Sequence, residues 1–459
     1  MRPERRGEWG PGSGGRGCTS MKRQFLWMLL ALGMSVPGWA QTRYILRPTS
    51  PAVLGDVAQK HGLTVVEPID SEGSVYVVTA ASSRKPKQVE DEVGDDSAEV
   101  SGIELDQKTG LPELSQSTAA ILDQLPPAST ISYYGSNVLG FYTTQPAVGL
   151  IRLADAQTTF GTLGAGVVAV IDTGIDPTHP VLARSIVPGY DFVNNLAGPA
   201  SEWIDLTAYN RRVLQGSSPV VTSKETVAMV SQSTAAILDQ STAAILDYQH
   251  MPKAFGHGTM VAGVVHLVAP TAQIMPLKAF RGDGTANLSD ILRAVYYAAD
   301  HGAHVINMSF TLTKPSVELG NAIDYAQGMN AICVAAAGND RKAKVGNPAN
   351  LPYVMGVAST SDKDQRSWFT SYGAGVFLAA PGEGIVTTYP GQNYAEATGT
   401  SFSAPLVAGA AALTVQVQPA IGFSDSSAAL ANTKKIRAAG LGYGRLDVYS
   451  AIGAMTGSE

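Results

Sequence analysis

Three short phrases, each with one polar residue among glycines and small side chains, occur in a fixed order along this chain. They are Val167-Val-Ala-Val-Ile-Asp172-Thr-Gly, Gly256-His257-Gly-Thr-Met-Val-Ala-Gly and Gly399-Thr-Ser401-Phe-Ser-Ala-Pro. A carboxylate, an imidazole and a hydroxyl therefore follow one another in the order Asp, His, Ser. Unrelated folds assemble these groups in other chain orders, so the order itself restricts the fold.

The first phrase has the length and β-branching of a strand buried on both faces of a parallel sheet. Asp172 follows at its carboxyl end, where such sheets place their sites. Asp-Thr-Gly also sets paired carboxylates in aspartic proteases, but those enzymes need two copies per active site. One copy occurs here, so the aspartic alternative requires a homodimer.

The second and third phrases each predict a small-residue helix that packs closely on the sheet. Ser401 is expected at a helix N-terminus, where backbone N–H groups are free and the local potential is positive. A Ser there could also serve only as a cap, and a lone His is usually structural. No His-Glu-x-x-His pair occurs, so a zincin site is not supported.

Taken together, these phrases resemble the subtilisin-like serine proteases, over roughly residues 145–453. The resemblance implies an α/β fold with a doubly wound, mostly parallel sheet, and a hydrolase that works through an acyl-enzyme. It assigns Ser401 as nucleophile, His257 as general base and Asp172 as the group that orients the imidazole. Asn339, in Val-Ala-Ala-Ala-Gly-Asn339, matches the family's second oxyanion donor.

The resemblance also suggests where substrate binds. Ser309-Phe310-Thr311 aligns with the strand on which this family lays its substrate, and Gly282-Asp-Gly284 is the candidate for the opposing strand. Family members commonly carry glycine where Thr311 stands. A β-branched side chain there crowds a pocket wall, so we expect a smaller P1 residue than usual or a shift of the main chain.

Two further departures from the family pattern have physical consequences. Phe402 follows the nucleophile where many relatives carry Met, so thioether oxidation cannot occur there. Val181 stands where calcium-binding members often place Asp, which removes a hard oxygen ligand. We expect no cofactor for the chemistry, no metal ligand in the site and no calcium at the usual position, while calcium elsewhere stays open.

The amino-acid composition limits the kinds of partner that this chain is expected to bind. The chain has 459 residues, 45% of them hydrophobic and 15% charged, with a formal net charge of −6. No block of Lys and Arg offers a track for phosphate backbones, so nucleic acid is not expected as a partner. Its two cysteines, Cys18 and Cys333, exclude a disulfide framework. Cys333 lies in an apolar run and is expected to be a small buried hydrophobe.

Residues 1–40 are expected to be a leader. Lys22 and Arg23 precede an apolar run at 25–36, and small residues end at Ala40, as in a secretory signal peptide. Met21 is an alternative start of the chain. The run is too short to span a bilayer comfortably, and no later stretch reaches the required length. We expect a protein secreted to the extracellular or periplasmic space, without membrane attachment after signal removal.

Residues 41–140 are expected to be a propeptide and linker. Strand-like and helical patterns at 42–81 predict a small α+β unit. Its place before a subtilase-like region resembles that family's inhibitory propeptide, which would be an intramolecular partner; an independent binding domain is the alternative. Residues 84–99 lack an apolar face and are interpreted as a solvated linker. A maturation cut is predicted between about 131 and 145.

Residues 141–459 are expected to be the catalytic domain, with an insertion at about 196–252. The insertion follows from the separation of 85 residues between Asp172 and His257, a longer spacing than the family's, and is interpreted as a surface excursion. The phrase at 115–124 recurs identically at 231–240, and its core recurs at 240–247. We interpret the repeat as a duplicated loop segment. The alternative is that the first copy occupies or mimics the place that the later copies take in the mature domain.

The sequence thus predicts a secreted serine endopeptidase made as a zymogen, acting on protein or peptide substrates. A non-catalytic peptide-binding or scaffold protein on the same fold is the alternative.

Overall fold

The computed structural model describes residues 41–111, 130–208, 210–212, 228–230, 252–312 and 314–457. Within these residues an amino-terminal unit of mixed α and β structure extends to residue 111, and a larger α/β unit begins at residue 130. The expected leader and the three repeated copies lie outside the described residues.

The amino-terminal unit, residues 41–111, is a four-stranded antiparallel sheet with two helices. Its strand order is β2-β3-β1-β4. Tyr44, Leu46, Val57 and Val78 form part of a separate apolar core between sheet and helices. The elements are β1 (Gln41–Pro48), α1 (Leu54–His61), β2 (Thr64–Pro68), β3 (Tyr76–Ala81), α2 (Pro86–Gly94), β4 (Val100–Leu105) and the short strand β5 (Lys108–Gly110).

The expected solvated linker at 84–99 is wrong, because Pro86–Gly94 forms helix α2. Val89 and Val93 are fully buried in the core of the amino-terminal unit. Residues four apart share one face of a helix, so two valines suffice to dock it. The charged residues that suggested a linker cover the opposite, exposed face.

The α/β unit is built on an eight-stranded sheet with the order β10-β9-β12-β8-β14-β15-β16-β17. All its neighbouring strands run parallel except β10 against β9. The mostly parallel doubly wound sheet predicted from the sequence is therefore confirmed. The strands are β8 (Val167–Asp172), β9 (Gly189–Asp191), β10 (Leu196–Gly198), β12 (Gln273–Lys278), β14 (Val305–Met308), β15 (Ile332–Ala336), β16 (Val354–Thr360) and β17 (Leu378–Pro381).

Alternate residues of the central strand β8 enter two different cores. Val168 and Val170 join one hydrophobic cluster, and Ala169 and Ile171 join the other. The first core lies under helices α6 (His257–Val268) and α9 (Thr400–Val417), and the second under α7 (Leu288–Asp300) and α8 (Val317–Gly328). A sheet covered on both faces needs such continuously apolar strands.

Helices α6 and α9 pack closely where Gly409 of α9 faces Val268 of α6. A Cβ on Gly409 would lie 2.6 Å from Cβ of Val268. Helix α9 is the one helix of the described residues that is long and apolar enough to cross a membrane, and 89% of it is buried inside this core. Cys333 in β15 is fully buried as predicted, and burial raises the pKa of its thiol to about 12.

The remaining elements lie around this frame. A hairpin of β6 (Thr130–Tyr133) and β7 (Ser136–Leu139) precedes the helices α3 (Gly140–Thr144), α4 (Pro146–Leu150) and α5 (Leu153–Phe160). Strands β11 (Ala228–Val230), β18 (Ile385–Tyr389) and β19 (Asn393–Ala397) form a small sheet, and β13 (Thr285–Asn287) pairs with β5. Helices α10 (Phe423–Leu430) and α11 (Val448–Thr456) close the chain's described part.

Candidate active site

Asp172 is the last residue of β8, and its carboxylate extends from the carboxyl edge of the sheet. Parallel strands flank β8 on both sides, and Asp172 is 1% exposed. The backbone N–H of Thr173 donates to Oδ1 at 2.7 Å, and the Asp172 carbonyl accepts from the backbone of Ala279 and Phe280. These bonds hold the carboxylate in one orientation.

His257 is the first residue of helix α6. Its Nδ1 lies 2.7 Å from Oδ1 and 2.9 Å from Oδ2 of Asp172, and because a carboxylate only accepts, Nδ1 is the donor. The helix start approaches this closely because a Cβ at Gly258 would overlap the carbonyl oxygen of Gly174. The second ring nitrogen, Nε2, is buried and has no hydrogen-bond partner among the described residues.

Ser401 lies in the first turn of helix α9 and is fully buried. Its Oγ donates to the carbonyl oxygen of Ser309 at 3.1 Å, and the Ser309 hydroxyl donates back to the Ser401 carbonyl at 2.9 Å. The ring of the next residue, Phe402, lies 5.7 Å from the His257 ring, centroid to centroid. Ser401 and His257 therefore lie in one site, with the hydroxyl turned toward Ser309.

Asn339 is fixed beside the start of the same helix. Its Oδ1 accepts from the backbone N–H of Thr400 at 3.0 Å and from the Thr400 hydroxyl at 2.8 Å. These bonds assign the amide orientation and turn Nδ2 away from Thr400. Within the described part of the chain, Nδ2 is buried without a partner.

Among the described residues, the site therefore holds one unpaired imidazole nitrogen and one unpaired amide donor, on residues that contact the two chain neighbours of Ser401. Buried polar groups are normally paired, so unpaired groups gathered at one point need an explanation. A bound peptide carbonyl would accept from the Asn339 amide, and a hydroxyl that turns toward the imidazole would donate to Nε2 of His257. The arrangement has the parts that acyl transfer needs.

A segment of the amino-terminal unit lies between the two segments predicted to bind substrate. Strand β5 pairs antiparallel with β13, and Gly110 also forms an antiparallel bridge with Thr311. The backbone N–H of Leu111 donates to the carbonyl of Gly284 at 2.9 Å, and the Thr109 hydroxyl donates to the carbonyl of Thr311 at 3.2 Å. Thr311 and Gly284 thus form the two walls of a cleft that accepts an extended chain.

Phe310 and Gly282 are placed differently from these two residues. The Phe310 side chain is fully buried and packs on Phe280, with ring centroids 5.1 Å apart. The Gly282 carbonyl accepts from the backbone of Ala254 at 2.7 Å, and a Cβ there would lie 2.9 Å from Asp205. The Phe310 side chain supports the cleft wall from inside, and Gly282 lies behind the opposite wall.

Thr311 occupies space that two facing glycines leave open. A Cβ on Gly338 would lie 3.4 Å from Cγ2 of Thr311, and a Cβ on Gly346 would lie 3.6 Å from Cβ of Thr311. The Thr311 side chain, which the sequence analysis expects to crowd a pocket wall, thus faces both glycines. Gly338 directly precedes Asn339, so this space adjoins the unpaired amide.

Two buried charged residues next to the Asp172 loop were not predicted from the sequence. Lys278 is fully buried and donates to the carbonyl of Thr173 at 2.7 Å and to Asp205 at 2.6 Å. Glu202 is fully buried and contacts Thr173. Lys278 could have been suspected, because it is a charged residue in an otherwise apolar strand pattern. Glu202 gave no signal, because it falls in the expected insertion.

The beginning of that insertion is not a surface excursion, which corrects the prediction for residues 200–206. Ile175 bridges Ser201 in parallel, and the Ile175 backbone N–H donates to Ala200 at 3.0 Å. Trp203 is 7% exposed and packs on Phe255. This segment supports the loop after Asp172, and the surface interpretation fails because burial there depends on contacts distant in sequence.

Metal-binding side chains do not cluster within the described ranges: no group of three or more His, Cys, Asp or Glu residues there could hold an ion. Val181 is buried. His179 and His266 are buried too, and desolvation lowers the pKa of each to about 4. These histidines are therefore neutral at physiological pH and serve the packing of the α/β unit.

Comparisons with known proteins show what this chain is similar to. Residues 164–447 match the Subtilase family of peptidases. The chain is 33% identical over 287 residues to "Thermophilic serine proteinase" of Bacillus sp. (strain AK1), covering 62% of this chain and 61% of that relative. It is 32% identical over 298 residues to "Thermitase" of Thermoactinomyces vulgaris, covering 62% and 88%.

One solved structure shares the fold over nearly the whole chain. It is fervidolysin from Fervidobacterium pennivorans, described as a keratinolytic enzyme related to subtilisin, with a TM-score of 0.65 at 20% identity. The match covers 92% of this chain and 62% of fervidolysin.

Proposed function

Because this chain belongs to the subtilase family, we propose that it is a secreted serine endopeptidase made as a zymogen. One observation carries the proposal: a buried Asp172–His257 bond of 2.7 Å leaves Nε2 of His257 without a partner among the described residues, and the His257 ring lies 5.7 Å from the ring of Phe402, the residue after Ser401. Protein or peptide chains are the substrates, since the cleft pairs with an extended backbone.

The proposed mechanism follows from these positions. Ser401 Oγ turns from the Ser309 carbonyl to His257 Nε2, which takes its proton as Oγ attacks the peptide carbonyl. Asp172 keeps Nδ1 protonated and stabilises the imidazolium. Asn339 Nδ2 and the Ser401 backbone N–H donate to the oxyanion. His257 then protonates the leaving amine, and a water activated by the same base hydrolyses the acyl-enzyme.

The amino-terminal unit acts in this proposal as an intramolecular inhibitor. Its segment Lys108–Leu111 fills the cleft that substrate needs. Asp106 accepts from the backbone N–H and hydroxyl of Ser289 at 2.9 and 2.8 Å, in the first turn of helix α7. Carboxylates are favourable at helix N-termini, where N–H groups are free.

A second set of contacts anchors the same unit to helix α8. Glu104 accepts from the Ser316 hydroxyl at 2.7 Å and from the Val317 backbone at 3.2 Å. Arg47 donates to Glu318 at 2.6 Å. Together with the pairing of β5 and β13, these contacts support a docked, inhibitory propeptide over an independent binding domain.

We infer a maturation cut upstream of the range expected from the sequence. Residues 130–145 are packed on the α/β unit: Tyr133 Oη donates to the Leu267 carbonyl at 2.8 Å, Ser136 Oγ donates to the Pro180 carbonyl at 2.7 Å, and Val138 is buried. A cut inside this hairpin would release docked structure. We therefore infer that the mature enzyme begins between residues 111 and 130.

The test is an assay on the purified full chain. We expect it to cleave unfolded casein, to be blocked by a serine-reactive inhibitor, and to lose the amino-terminal unit. Ser401→Ala should accumulate unprocessed precursor, whereas Ser403→Ala, two residues further along the same buried helix, should mature normally.

Peptide retained uncut by the wild-type chain would instead support the peptide-binding alternative. Normal processing of Ser401→Ala would show that another protease performs the cut.

A further inference from the structure

Glu202 is a fully buried carboxyl group directly behind the Asp172–His257 pair. It lies in the short 3-10 helix Glu202–Asp205, outside the three phrases that mark the site. Burying a carboxyl group is costly unless it makes compensating bonds. The bonds that Glu202 makes therefore indicate what it does.

Glu202 contacts both segments that carry the pair. Its Oε2 accepts from the backbone N–H of Gly256, the residue before His257, at 2.8 Å. The same oxygen lies 3.2 Å from Oγ1 of Thr173, the residue after Asp172. Its Oε1 is hydrogen-bonded to the hydroxyl of Thr259, in the first turn of the His257 helix.

Thr173 completes the connection. Its Oγ1 accepts from the backbone N–H of Gly258 at 3.0 Å and lies 3.3 Å from Asp172 Oδ1. Glu202 and Thr173 together thus join the Asp172 loop to the first turn of the helix on which His257 lies. A change in either contact would alter the distance or angle between the carboxylate and the imidazole.

The segment that carries Glu202 is itself fixed to the Asp172 loop. The backbone N–H of Glu202 donates to the carbonyl of Ile175 at 3.2 Å. Three residues further on, Asp205 accepts from Lys278, which also donates to the Thr173 carbonyl. Glu202 is therefore held by the backbone and has little freedom to adapt.

We propose that Glu202 is a positioning residue that fixes the His257 imidazole against Asp172 for proton transfer. The inference rests on the proposed function. Glu202 touches neither substrate nor reacting atoms, so it acts through the two residues that do.

The charge state of Glu202 fits this role. Burial is the main cause that raises its pKa to about 8, with a contribution from Asp172, while bonds from Thr259 and Gly256 and the charge of Lys278 lower it. At neutral pH the group is therefore mostly protonated and does not compete with Asp172 for the developing imidazolium charge. A neutral amide of the same shape should replace it.

The experiment uses mature enzyme obtained from the full chain, with kcat expressed per active site titrated by a serine-reactive inhibitor. Glu202→Ala should lower kcat by about 10²-fold with KM nearly unchanged, because misplacing a catalytic group costs rates of this order. Glu202→Gln should stay within about 5-fold of wild type. Glu396→Gln is the matched control, since Glu396 is also a buried carboxyl but, within the described residues, makes no side-chain hydrogen bond to either segment.

Two further variants keep the test decisive. Glu202→Asp is one methylene shorter and cannot reach Gly256 and Thr259 together, so kcat should fall by about 10-fold. In full chains that carry Ser401→Ala, the proton NMR signal of His257 Nδ1–H should shift or broaden with Glu202→Ala and stay in place with Glu202→Gln.

A purely structural role predicts something else. Glu202→Ala and Glu202→Asp would then lower the yield or the melting temperature, while kcat per titrated site and the NMR signal stayed at wild-type values, and that result would overturn the inference. Failure of the proposed function is distinguishable, because the wild-type chain itself would then show no turnover that a serine-reactive inhibitor blocks.

Discussion

The space between Thr311 and two glycines leads to a quantitative prediction about substrate preference. Thr311 Cγ2 lies 3.4 Å from the point where a Cβ on Gly338 would stand, and Thr311 Cβ lies 3.6 Å from the corresponding point on Gly346. Thr311→Gly removes both Thr311 atoms and the hydroxyl. The pocket wall should then admit a larger P1 side chain.

The magnitude follows from the apolar surface that becomes buried. Full burial of a Phe side chain stabilises by about 1.5–3 kcal/mol relative to exposure. If the opened space recovers about 2 kcal/mol of this in the transition state, the ratio of kcat/KM for Phe over Ala at P1 rises about 30-fold. Thr311→Ser, which removes only the methyl group that faces Gly338, should give an intermediate rise.

The assay compares two peptide p-nitroanilides that differ only at P1, with Ala or Phe, on the mature enzyme. The ratio of their kcat/KM values cancels changes in enzyme concentration and stability. An unchanged ratio in Thr311→Gly, or wild-type enzyme that already prefers Phe strongly, would refute the assignment of Thr311 to the P1 wall.

Four further predictions concern other parts of the molecule. Asp106→Ala should weaken inhibition by the amino-terminal unit about 10- to 100-fold, because it removes charge-assisted bonds to Ser289. Asp56→Ala, at an exposed position, is the control. An inhibition constant that Asp106→Ala leaves unchanged would contradict the docking role. The folded chain raises the pKa of Glu202 to about 8, against 4.5 in the unfolded chain. The contribution of Glu202 to the free energy of unfolding is therefore complete below pH 4.5. It is lost as pH rises toward 8, at up to about 1.4 kcal/mol per pH unit. Denaturant unfolding in a Ser401→Ala background should show this loss, and a pH profile that Glu202→Gln leaves unaltered would count against it. Phe402→Met should make activity sensitive to peroxide at concentrations that wild type tolerates, and rapid loss in wild type would be evidence against the protective role of Phe402. Cys333 should resist thiol reagents in the native chain until the protein unfolds, since its thiol is fully buried; fast labelling of folded protein would exclude that burial.

The sequence predicted the parts of the fold that depend on local patterns. The apolar run before Asp172 specified a strand buried on both faces, and alternate residues of that strand enter the two cores. Small residues in the Ser401 phrase predicted a helix that packs tightly, as Gly409 does on Val268. In both cases, the residue types near the site carry the information.

The sequence could not predict what depends on contacts distant along the chain. Charged residues at 84–99 concealed a helix, because only Val89 and Val93 contact the core. Glu202 looked like part of a polar insertion, and only the folded chain brings it to Thr173 and Gly256. Gly282 and Gly284 are the same residue type, so the sequence could not tell them apart. Of the two, Gly284 is the one that pairs with the segment in the cleft.

The central claim is that Asp172, His257 and Ser401 act as one catalytic unit, and the labelling rate of Ser401 tests it most directly. Mature chain would be treated with a fluorophosphonate and mapped by peptide mass spectrometry. We expect label on Ser401, and a labelling rate about 10²- to 10⁴-fold lower in His257→Ala prepared by processing in trans, the range typical of a lost general base. Label on another serine, or a His257→Ala rate equal to wild type, would contradict it.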